Sequence, residues 1–271
     1  MIQYILGRRS SVKTKDFFRA NPYFGFAISP LKTEDFRLRL FYKNSVRLPS
    51  FNEMYYSQIG NLDLNPEDAH QINIGATYSF KQKKLLKDLT FRIDAYQNFV
   101  QNKIVSIPTK DLFVWSIQNV DKVSIFGLDV QVSSILKLAK KTTLNLSGNY
   151  SFQNALNKTD KNHITYNHQI AYIPKHQVNT QLGISSFGAF INWSSSFTGA
   201  RFHLNENNDF NRLNSFWNND LILGYEHKLK TKHRLKCTFT IGNIANARYE
   251  VVRSFPMLGR NYKIKLIYAF Q

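Results

Sequence analysis

The sequence contains one cysteine, Cys237, in 271 residues. A single cysteine excludes an intramolecular disulfide and a zinc site built from several thiolates. Cys237 alternates with Leu235, Phe239 and Ile241, a pattern in which it is a small apolar side chain. Long hydrophobic runs are also missing: no segment approaches the roughly 18 apolar residues of a membrane-spanning helix, and the mean hydropathy is negative. A helical membrane protein is therefore excluded.

Residues with catalytic or metal-binding chemistry are few and scattered. The seven histidines include the pairs His163 with His168 and His227 with His233, and neither spacing is typical of metal ligands. The sequence has no nucleophile with a paired base, no glycine-rich phosphate loop and no pair of carboxylates at a catalytic spacing. We therefore expect no enzyme activity, no bound metal and no cofactor.

Acidic residues are scarce: 18 Asp and Glu stand against 36 Lys and Arg, which gives a formal charge of +18. An excess of this size raises nucleic acid as a partner. Much of the basic charge, however, falls into short clusters between alternating segments, where a barrel has its turns. These clusters are Lys81, Lys83, Lys84 and Lys87; Lys137, Lys140 and Lys141; and Lys228, Lys230, Lys232, Arg234 and Lys236. A solvated rim is favoured, lipid headgroups stay open as an anionic partner, and no nucleic acid partner is expected.

Tyrosine and phenylalanine are abundant, with 14 and 22 copies, which is typical of β-strands. In residues 261–270, alternate positions form one wholly apolar face with aromatic rings at both ends and aliphatic side chains between them. These positions are Tyr262, Ile264, Leu266, Tyr268 and Phe270. This order is typical of a strand that crosses lipid. A core strand of a β-sandwich is the alternative.

The same alternation recurs along the chain and predicts about 11 strands. They cover residues 22–30, 36–43, 71–80, 89–99, 126–132, 144–152, 178–185, 189–197, 221–229, 235–244 and 261–270. From Asn44 the connections alternate between long and short; one long connection covers residues 100–122, of which 112–117 are apolar enough to extend a strand. A Greek-key sandwich has no reason for this alternation, whereas a membrane barrel has short turns at one rim and long loops at the other. We predict an all-β protein, an antiparallel up-and-down transmembrane β-barrel with a hydrated lumen.

Eleven strands do not complete a barrel. Single-chain bacterial barrels have even strand numbers, and an unpaired edge in hydrocarbon costs several kcal/mol for each backbone group. Residues 1–21 are weakly patterned and are expected to hold the end of a preceding strand and a loop. Residues 2–6 are apolar but too few for a signal-peptide core. We therefore expect a piece of a longer precursor, or a second half encoded separately.

Several stretches resemble the motifs of TonB-dependent outer-membrane receptors, in that family's order. The first is Arg47-Leu48-Pro49-Ser50-Phe51-Asn52-Glu53-Met54-Tyr55-Tyr56, followed by Gly60-Asn61-Leu62-Asp63-Leu64-Asn65-Pro66-Glu67. Others are Phe126-Gly127-Leu128-Asp129, Pro174-Lys175-His176, Asn243-Ile244-Ala245-Asn246-Ala247-Arg248-Tyr249 and Pro256-Met257-Leu258-Gly259-Arg260-Asn261-Tyr262. The resemblance implies that residues 22–271 are the carboxyl-terminal portion of a receptor β-barrel of about 22 strands, with the plug domain absent from this chain.

The resemblance also implies a function and a set of partners. The complete receptor would lie in the bacterial outer membrane, in contact with its lipid, and import a scarce small nutrient such as an iron–siderophore, cobalamin or an oligosaccharide. The missing amino-terminal plug and barrel strands would be partners of this chain, and the TonB complex would act through the plug. Tyr268 and Phe270 are similar to the carboxyl-terminal signal that the barrel-assembly machinery uses, although Gln271 follows them.

Two sets of candidate site residues follow. The loop motif residues are expected to fix loop conformation, because proline sets φ, Asn tolerates turns, and both glutamates can pair with the arginine; they are Arg47, Pro49, Phe51, Asn52, Glu53, Asn61, Pro66 and Glu67. The ligand-binding candidates are Tyr55, Tyr56, Trp115 and Trp217, because amphipathic rings in loops often anchor ligands. An aromatic girdle or loop packing is the alternative for each of them.

Two other classes of protein stay open at this point. A passive porin is a transport barrel without a plug. A soluble basic β-protein that binds nucleic acid would bind DNA with a steep salt dependence and would need no detergent.

Overall fold

The computed structural model describes residues 2–8, 16–30, 35–81, 85–108, 114–229 and 233–270. The strands are β1 (Ile2–Arg8), β2 (Asp16–Ile28), β3 (Phe36–Arg47), β4 (Glu67–Lys81), β5 (Leu86–Pro108), β6 (Trp115–Ala139), β7 (Thr142–Asn157), β8 (His176–Ser186), β9 (Ala189–Thr198), β10 (Arg201–Phe202), β11 (Arg212–Leu213), β12 (Phe216–Lys228), β13 (Arg234–Gly242), β14 (Glu250–Val252), β15 (Phe255–Pro256) and β16 (Asn261–Ala269). A short helix, α1 (Phe51–Tyr55), and a 3-10 turn, Asp209–Asn211, complete the secondary structure. No helix in the described part of the chain is long and apolar enough to span a membrane.

Twelve strands form one antiparallel sheet, in which neighbours along the chain are neighbours in space. Two small sheets, β10 with β11 and β14 with β15, lie in the connections after β9 and β13. This confirms the predicted all-β, up-and-down arrangement. The eleven predicted strands are β2 to β9, β12, β13 and β16; β2 begins earlier than predicted, and β1 is a twelfth strand within residues 1–21. Within the described ranges the sheet is open, because β1 and β16 each pair on one side.

The apolar sets of neighbouring strands merge into one continuous outward face. Leu40 pairs with Ile74 and Ile74 with Ala95, while Cys237 pairs with Leu266 at the other side of the sheet. Ala95 is partly buried, whereas the other side chains are exposed, with 61% for Ile74 and 69% for Leu266. The only other sheets in the described residues are two-stranded. The apolar face is therefore not a sandwich core, and it has the character of a lipid-facing surface.

Aromatic rings border the outward face near both ends of the strands. Beside the long connections, the rings of Phe197 and Trp217 lie 4.9 Å apart. Beside the short turns, the Tyr268 hydroxyl and His233 Nδ1 form a hydrogen bond of 2.7 Å. Amphipathic rings favour the level at which hydrocarbon meets water, so the two borders mark the edges of the lipid-facing band.

The inner face is polar and carries a compact charge cluster. The Arg39 guanidinium donates to the Asp94 carboxylate at 2.9 Å and to the Thr77 hydroxyl at 2.6 Å. Arg92 Nε donates to the same carboxylate at 2.7 Å. Gly75 makes room for this arrangement, since a Cβ there would lie 2.1 Å from Asp94 Oδ1. The inner face therefore has the hydrogen-bonding character of a hydrated lumen.

A buried apolar cluster lies on the inner face at the rim of the long connections. It consists of Ala69, Val100, Val120, Val123, Ile125, Ala155 and Ile170. Ile170 belongs to the connection between β7 and β8, and its amide donates to the Ala155 carbonyl at 2.9 Å. This long connection therefore folds inward over the wall.

One long connection is shorter than predicted. β5 and β6 extend through most of residues 100–122, which the sequence predicts as a connection; positions 112 and 113 lie outside the described residues. The physical reason is packing from the neighbouring loop. Leu64, between β3 and β4, is fully buried against Ile104 of β5 and Ile117 of β6. The extended hairpin is thus supported on one side by another connection.

The described lysines of the basic clusters lie mostly at the rim of the short turns, as predicted. Lys140 and Lys141 form the turn between β6 and β7, and Lys87, Lys137 and Lys228 are exposed near their own turns. Four further lysines of these clusters lie outside the described residues: Lys83, Lys84, Lys230 and Lys232.

Candidate functional site

The connection between β3 and β4 begins with a capped helix tied to the barrel wall. The Ser50 amide donates to the Glu53 carboxylate at 2.7 Å, and the Glu53 amide donates to Ser50 Oγ at 3.3 Å, which together form a capping box. The Arg47 guanidinium, at the end of β3, donates to Glu53 and to Glu67 at 3.0 Å each. The expected pairing of both glutamates with Arg47 is therefore confirmed.

The three charged groups stabilise one another's ionised forms. Hydrogen bonding to Glu67 raises the pKa of Arg47, against an opposing effect of burial. Burial works against ionisation of Glu53 and Glu67, but hydrogen bonds from Arg47 and from backbone amides outweigh it and hold the pKa of both carboxyls below the ordinary value. Glu67 also accepts from the Ile104 amide at 2.7 Å. The cluster thus joins β3, α1, β4 and β5.

The second half of the motif fastens the loop to the β5–β6 hairpin. Asn61 Nδ2 donates to the Ile117 carbonyl at 2.9 Å, and the Asn65 amide donates to Asn119 Oδ1 at 2.8 Å. Between them Leu64 has no exposed surface. Gly60 permits the close backbone approach that precedes this segment, because a Cβ there would lie 2.6 Å from the Met54 carbonyl. The loop is held by specific hydrogen bonds and one buried side chain.

The other motif residues lie around α1 and at the end of the loop. Pro49 precedes the cap, the Asn52 carbonyl accepts from the Tyr56 amide at 3.2 Å, and the Pro66 carbonyl accepts from Asn102 at 3.5 Å. Phe51 is exposed. The contacts of Asn52 and Pro66 are loop-forming backbone contacts, as expected.

The four aromatic ligand candidates do not form one cluster. Tyr55 and Tyr56 are exposed at the end of α1. Trp115 begins β6, and its ring stacks on Tyr172 at 5.6 Å. Trp217 lies on the outward face against Phe197, so its placement favours the girdle interpretation. A ligand-binding role for these residues stays a prediction.

The two residues of the terminal signal lie at the end of the chain: Tyr268 belongs to the edge strand β16, and Phe270 follows its last residue. Tyr268 hydrogen bonds to His233, and the Phe270 ring lies 6.2 Å from the Tyr268 ring with 72% of the side chain exposed. β16 pairs with β13 on one side within the described ranges. Its assembly role also stays a prediction.

Sequence reasoning missed a buried arginine behind the connection that follows β13. Arg201 is 3% exposed, and its Nη2 donates to the carbonyls of Glu250 at 2.6 Å and Val251 at 2.9 Å. Its guanidinium lies 5.4 Å from the centre of the Phe216 ring, which stacks on Tyr249 at 4.2 Å. Burial lowers the pKa of Arg201 and raises the pKa of Tyr249. Two small sheets are joined through this side chain.

A cavity that we call the arginine pocket lies beside Leu213 and Glu250, two residues that contact Arg201. It has a volume of about 330 Å³ and is lined by Arg212, Leu213, Asn214, Ser215, Arg248, Tyr249, Glu250, Arg253 and Pro256. In the described part of the chain no carboxylate lies within ion-pair distance of the three lining arginines. Arg248 lies in one of the family-like motifs, but the three arginines come from two connections that are distant in sequence, so no single motif indicates that they meet.

A second open cavity lies along the inner wall. It has a volume of about 520 Å³, and its lining includes Ser133, Asn145, Gln181 and Asn192. Amides and hydroxyls share this surface with apolar residues such as Ile135 and Ile222. Among the described residues no group of three or more His, Cys, Asp and Glu is placed to hold a metal ion.

An open, up-and-down sheet with an exposed apolar outer face, a polar inner face and long connections at one rim is the wall of a transmembrane β-barrel. The chain belongs to the TonB-dependent receptor β-barrel family: the family model described as "TonB dependent receptor-like, beta-barrel" matches residues 6–246.

Individual relatives agree with this assignment. The vitamin B12 transporter BtuB of Vibrio vulnificus is 27% identical over 85 residues, which are 31% of this chain and 13% of that protein. Among solved structures, the copper transporter OprC has a TM-score of 0.69 at 14% identity and covers 93% of this chain and 40% of its own. The ferric-catecholate import receptor Fiu of E. coli K12 has a TM-score of 0.68 at 16% identity, and the match covers 95% of this chain and 36% of that receptor. The siderophore receptor PiuA of Acinetobacter baumannii has a TM-score of 0.64 at 14% identity, and the match covers 98% of this chain and 38% of that receptor. At such identities the structures establish the fold, and the chain spans less than half the length of each.

Proposed function

We propose that this chain forms the carboxyl-terminal part of the barrel wall in a TonB-dependent outer-membrane receptor that binds a scarce nutrient outside the cell and carries it to the periplasm. The observation that carries the proposal is the continuous exposed apolar face of the sheet, combined with long folded connections at one rim. Family membership supports the same reading. The long-connection rim is then the exterior rim.

The remaining barrel strands and the plug are proposed to come from sequence outside this chain. Residues 22–271 would be wall, with β2 beginning earlier, at Asp16, and β1 within residues 1–21 would be the preceding strand of the same wall. Two observations support this division. Both edge strands of the described sheet have a free side, and the chain spans 40% of OprC and 36% of Fiu. TonB would act on the plug and not on the wall described here.

The proposed cargo is a metal-bearing nutrient, an iron–siderophore or cobalamin. Relatives carry names of this kind: a vitamin B12 transporter, a copper transporter and a siderophore receptor. None of them is similar enough to select one cargo. The wall itself is proposed to bind and orient the cargo without chemistry.

Uptake measurements test the proposal. Cells with and without the gene are supplied with radiolabelled ferric siderophores and cobalamin, each in backgrounds with and without a functional TonB complex. We expect gene-dependent uptake of one nutrient that disappears when TonB is removed. Gene-dependent uptake that continues without TonB would identify a passive porin and overturn the proposal.

A further inference from the structure

We propose that the arginine pocket is an anion-binding site on the lumen side of the exterior rim, and that the imported solute carries anionic oxygens such as carboxylate, phosphate or phenolate groups. This inference rests on the proposed function in one respect: it takes the imported solute to be the molecule that bears the anionic group. The pocket itself is defined by geometry.

The residues that line the arginine pocket carry an excess of positive charge. Arg212, Arg248 and Arg253 line a cavity of about 330 Å³, and the acidic group among the lining residues is Glu250. The Glu250 carboxylate accepts from the Ser254 amide at 3.2 Å, a contact within its own turn. Three arginines against one glutamate give the lining an excess of positive charge, and arginine forks match the oxygens of carboxylates and phosphates.

Arg201 adds an independent observation. It pairs with Leu213 through the backbone and binds the Glu250 carbonyl, and both of these residues line the pocket. Its Nη1 is buried and has no hydrogen-bond partner. A buried guanidinium whose partners are neutral carbonyls lacks a counter-charge, and burying such a charge is costly. An anion in the adjoining pocket would offset part of that cost.

The side of the wall decides the source of the anion. The Phe216 ring stacks on Tyr249 of the pocket at 4.2 Å, and Phe216 points to the face opposite Trp217 and the lipid-facing residues. On that same inner face, Asp220 accepts from the Asn243 amide at 2.7 Å, so the connection after β13 folds over the lumen. A solute entering the barrel therefore reaches the pocket, and lipopolysaccharide phosphates on the outer surface do not.

The test uses the full-length receptor that contains this chain, purified in detergent free of lipopolysaccharide, with pyrophosphate as the probe in isothermal titration calorimetry. We expect saturable binding that weakens with salt. The double variant Arg248→Gln with Arg253→Gln should weaken it at least about tenfold, since each lost charged hydrogen bond removes a substantial part of the affinity. The double lysine variant should keep more affinity than the double glutamine variant.

Arg37→Gln is the matched control, because Arg37 is exposed near the opposite end of β3. Its affinity for pyrophosphate should stay within about twofold of the parent, and circular dichroism should show the same fold for all variants. Absence of pyrophosphate binding in the parent, or equal affinity in the parent and the double glutamine variant, would overturn the site. Arginine-dependent binding of added lipopolysaccharide without binding of pyrophosphate would also overturn it. Because the assay involves no transport, its result is separate from TonB-dependent uptake.

Discussion

Leu62 and Leu64 lie two positions apart in the same loop, yet one is 58% exposed and the other has no exposed surface. The difference comes from the partners that the fold brings to each. Leu64 meets Ile59, Ile104 and Ile117, while the flanking Asn61 holds the same hairpin by a hydrogen bond. Leu64 therefore supplies the buried apolar contact between the loop and the extended part of β5 and β6.

Leu64→Ala is predicted to loosen the β3–β4 loop and the top of the β5–β6 hairpin. Removing a buried leucine side chain leaves a cavity and costs about 2–5 kcal/mol. Hydrogen exchange by mass spectrometry should show faster exchange in residues 56–66, 100–108 and 114–120. Leu62→Ala, the matched control, should change exchange little, because exposed substitutions cost about 0.5 kcal/mol or less. Equal effects of the two variants would contradict the packing described here.

The Arg47 cluster predicts a pH dependence. Glu53 and Glu67 have pKa values lowered from 4.5, so their contribution to stability is present above that pH and is lost as the pH falls through the lower, folded-state values. Arg47 is 45% exposed, and solvent screening limits the contribution to about 1 kcal/mol. Thermal unfolding between about pH 7 and pH 3 should show a smaller acid-induced loss for Arg47→Gln than for the parent. Arg37→Gln should keep the parent profile, and an unchanged profile in Arg47→Gln would count against the cluster.

At the scale of elements, alternation predicted the barrel strands because a wall between lipid and water imposes a period of two on every spanning segment. Alternation did not predict the full length of β5 and β6, where packing against a loop extends the strands. At Asn102, which has a φ of +52°, the ladder between β5 and β6 lacks one pair but keeps its register, and beyond it the hairpin is supported by the loop that carries Leu64.

Part of the candidate site could be predicted from the sequence and part of it could not. Pairing of Arg47 with Glu53 and Glu67 was predictable from opposite charges within one motif, and the structure has it. The arginine pocket was not, because Arg212 and Arg253 become neighbours only through two small sheets, β10–β11 and β14–β15. Contacts between distant connections leave no periodic signal in sequence.

The end of the terminal strand β16 is predicted to act in membrane assembly. Phe270→Ala in the full-length receptor should lower the amount of assembled protein in the outer membrane more than it lowers ligand affinity, because the ring ends the strand that is proposed to be recognised during insertion. Phe187→Ala is a matched control, since Phe187 has the same exposure, 72%, and lies in the turn between β8 and β9. Equal assembly of Phe270→Ala and the parent in membrane fractions would refute the signal role.

At the scale of the whole molecule, the two free edges govern behaviour. β16 is exposed on both faces along its length, and β13 is its one neighbour in the described sheet. In hydrocarbon each unpaired backbone group costs several kcal/mol, and in water an open edge beside an apolar face pairs with other chains. The wall needs strands on both sides to become a stable barrel.

The chain expressed alone is therefore predicted to aggregate in detergent-free buffer, whereas co-expression with the segment that completes the barrel should give a discrete assembled species. Light scattering measures the first outcome, and electrophoresis of unheated membrane fractions measures the second. The apolar face alone would be masked by detergent, but free edges would not. Residual self-association in detergent, removed by the complementary segment, would thus assign the effect to β1 and β16. A stable monodisperse monomer without detergent would contradict the lipid-facing assignment of the apolar face as well as the need for a partner at the edges.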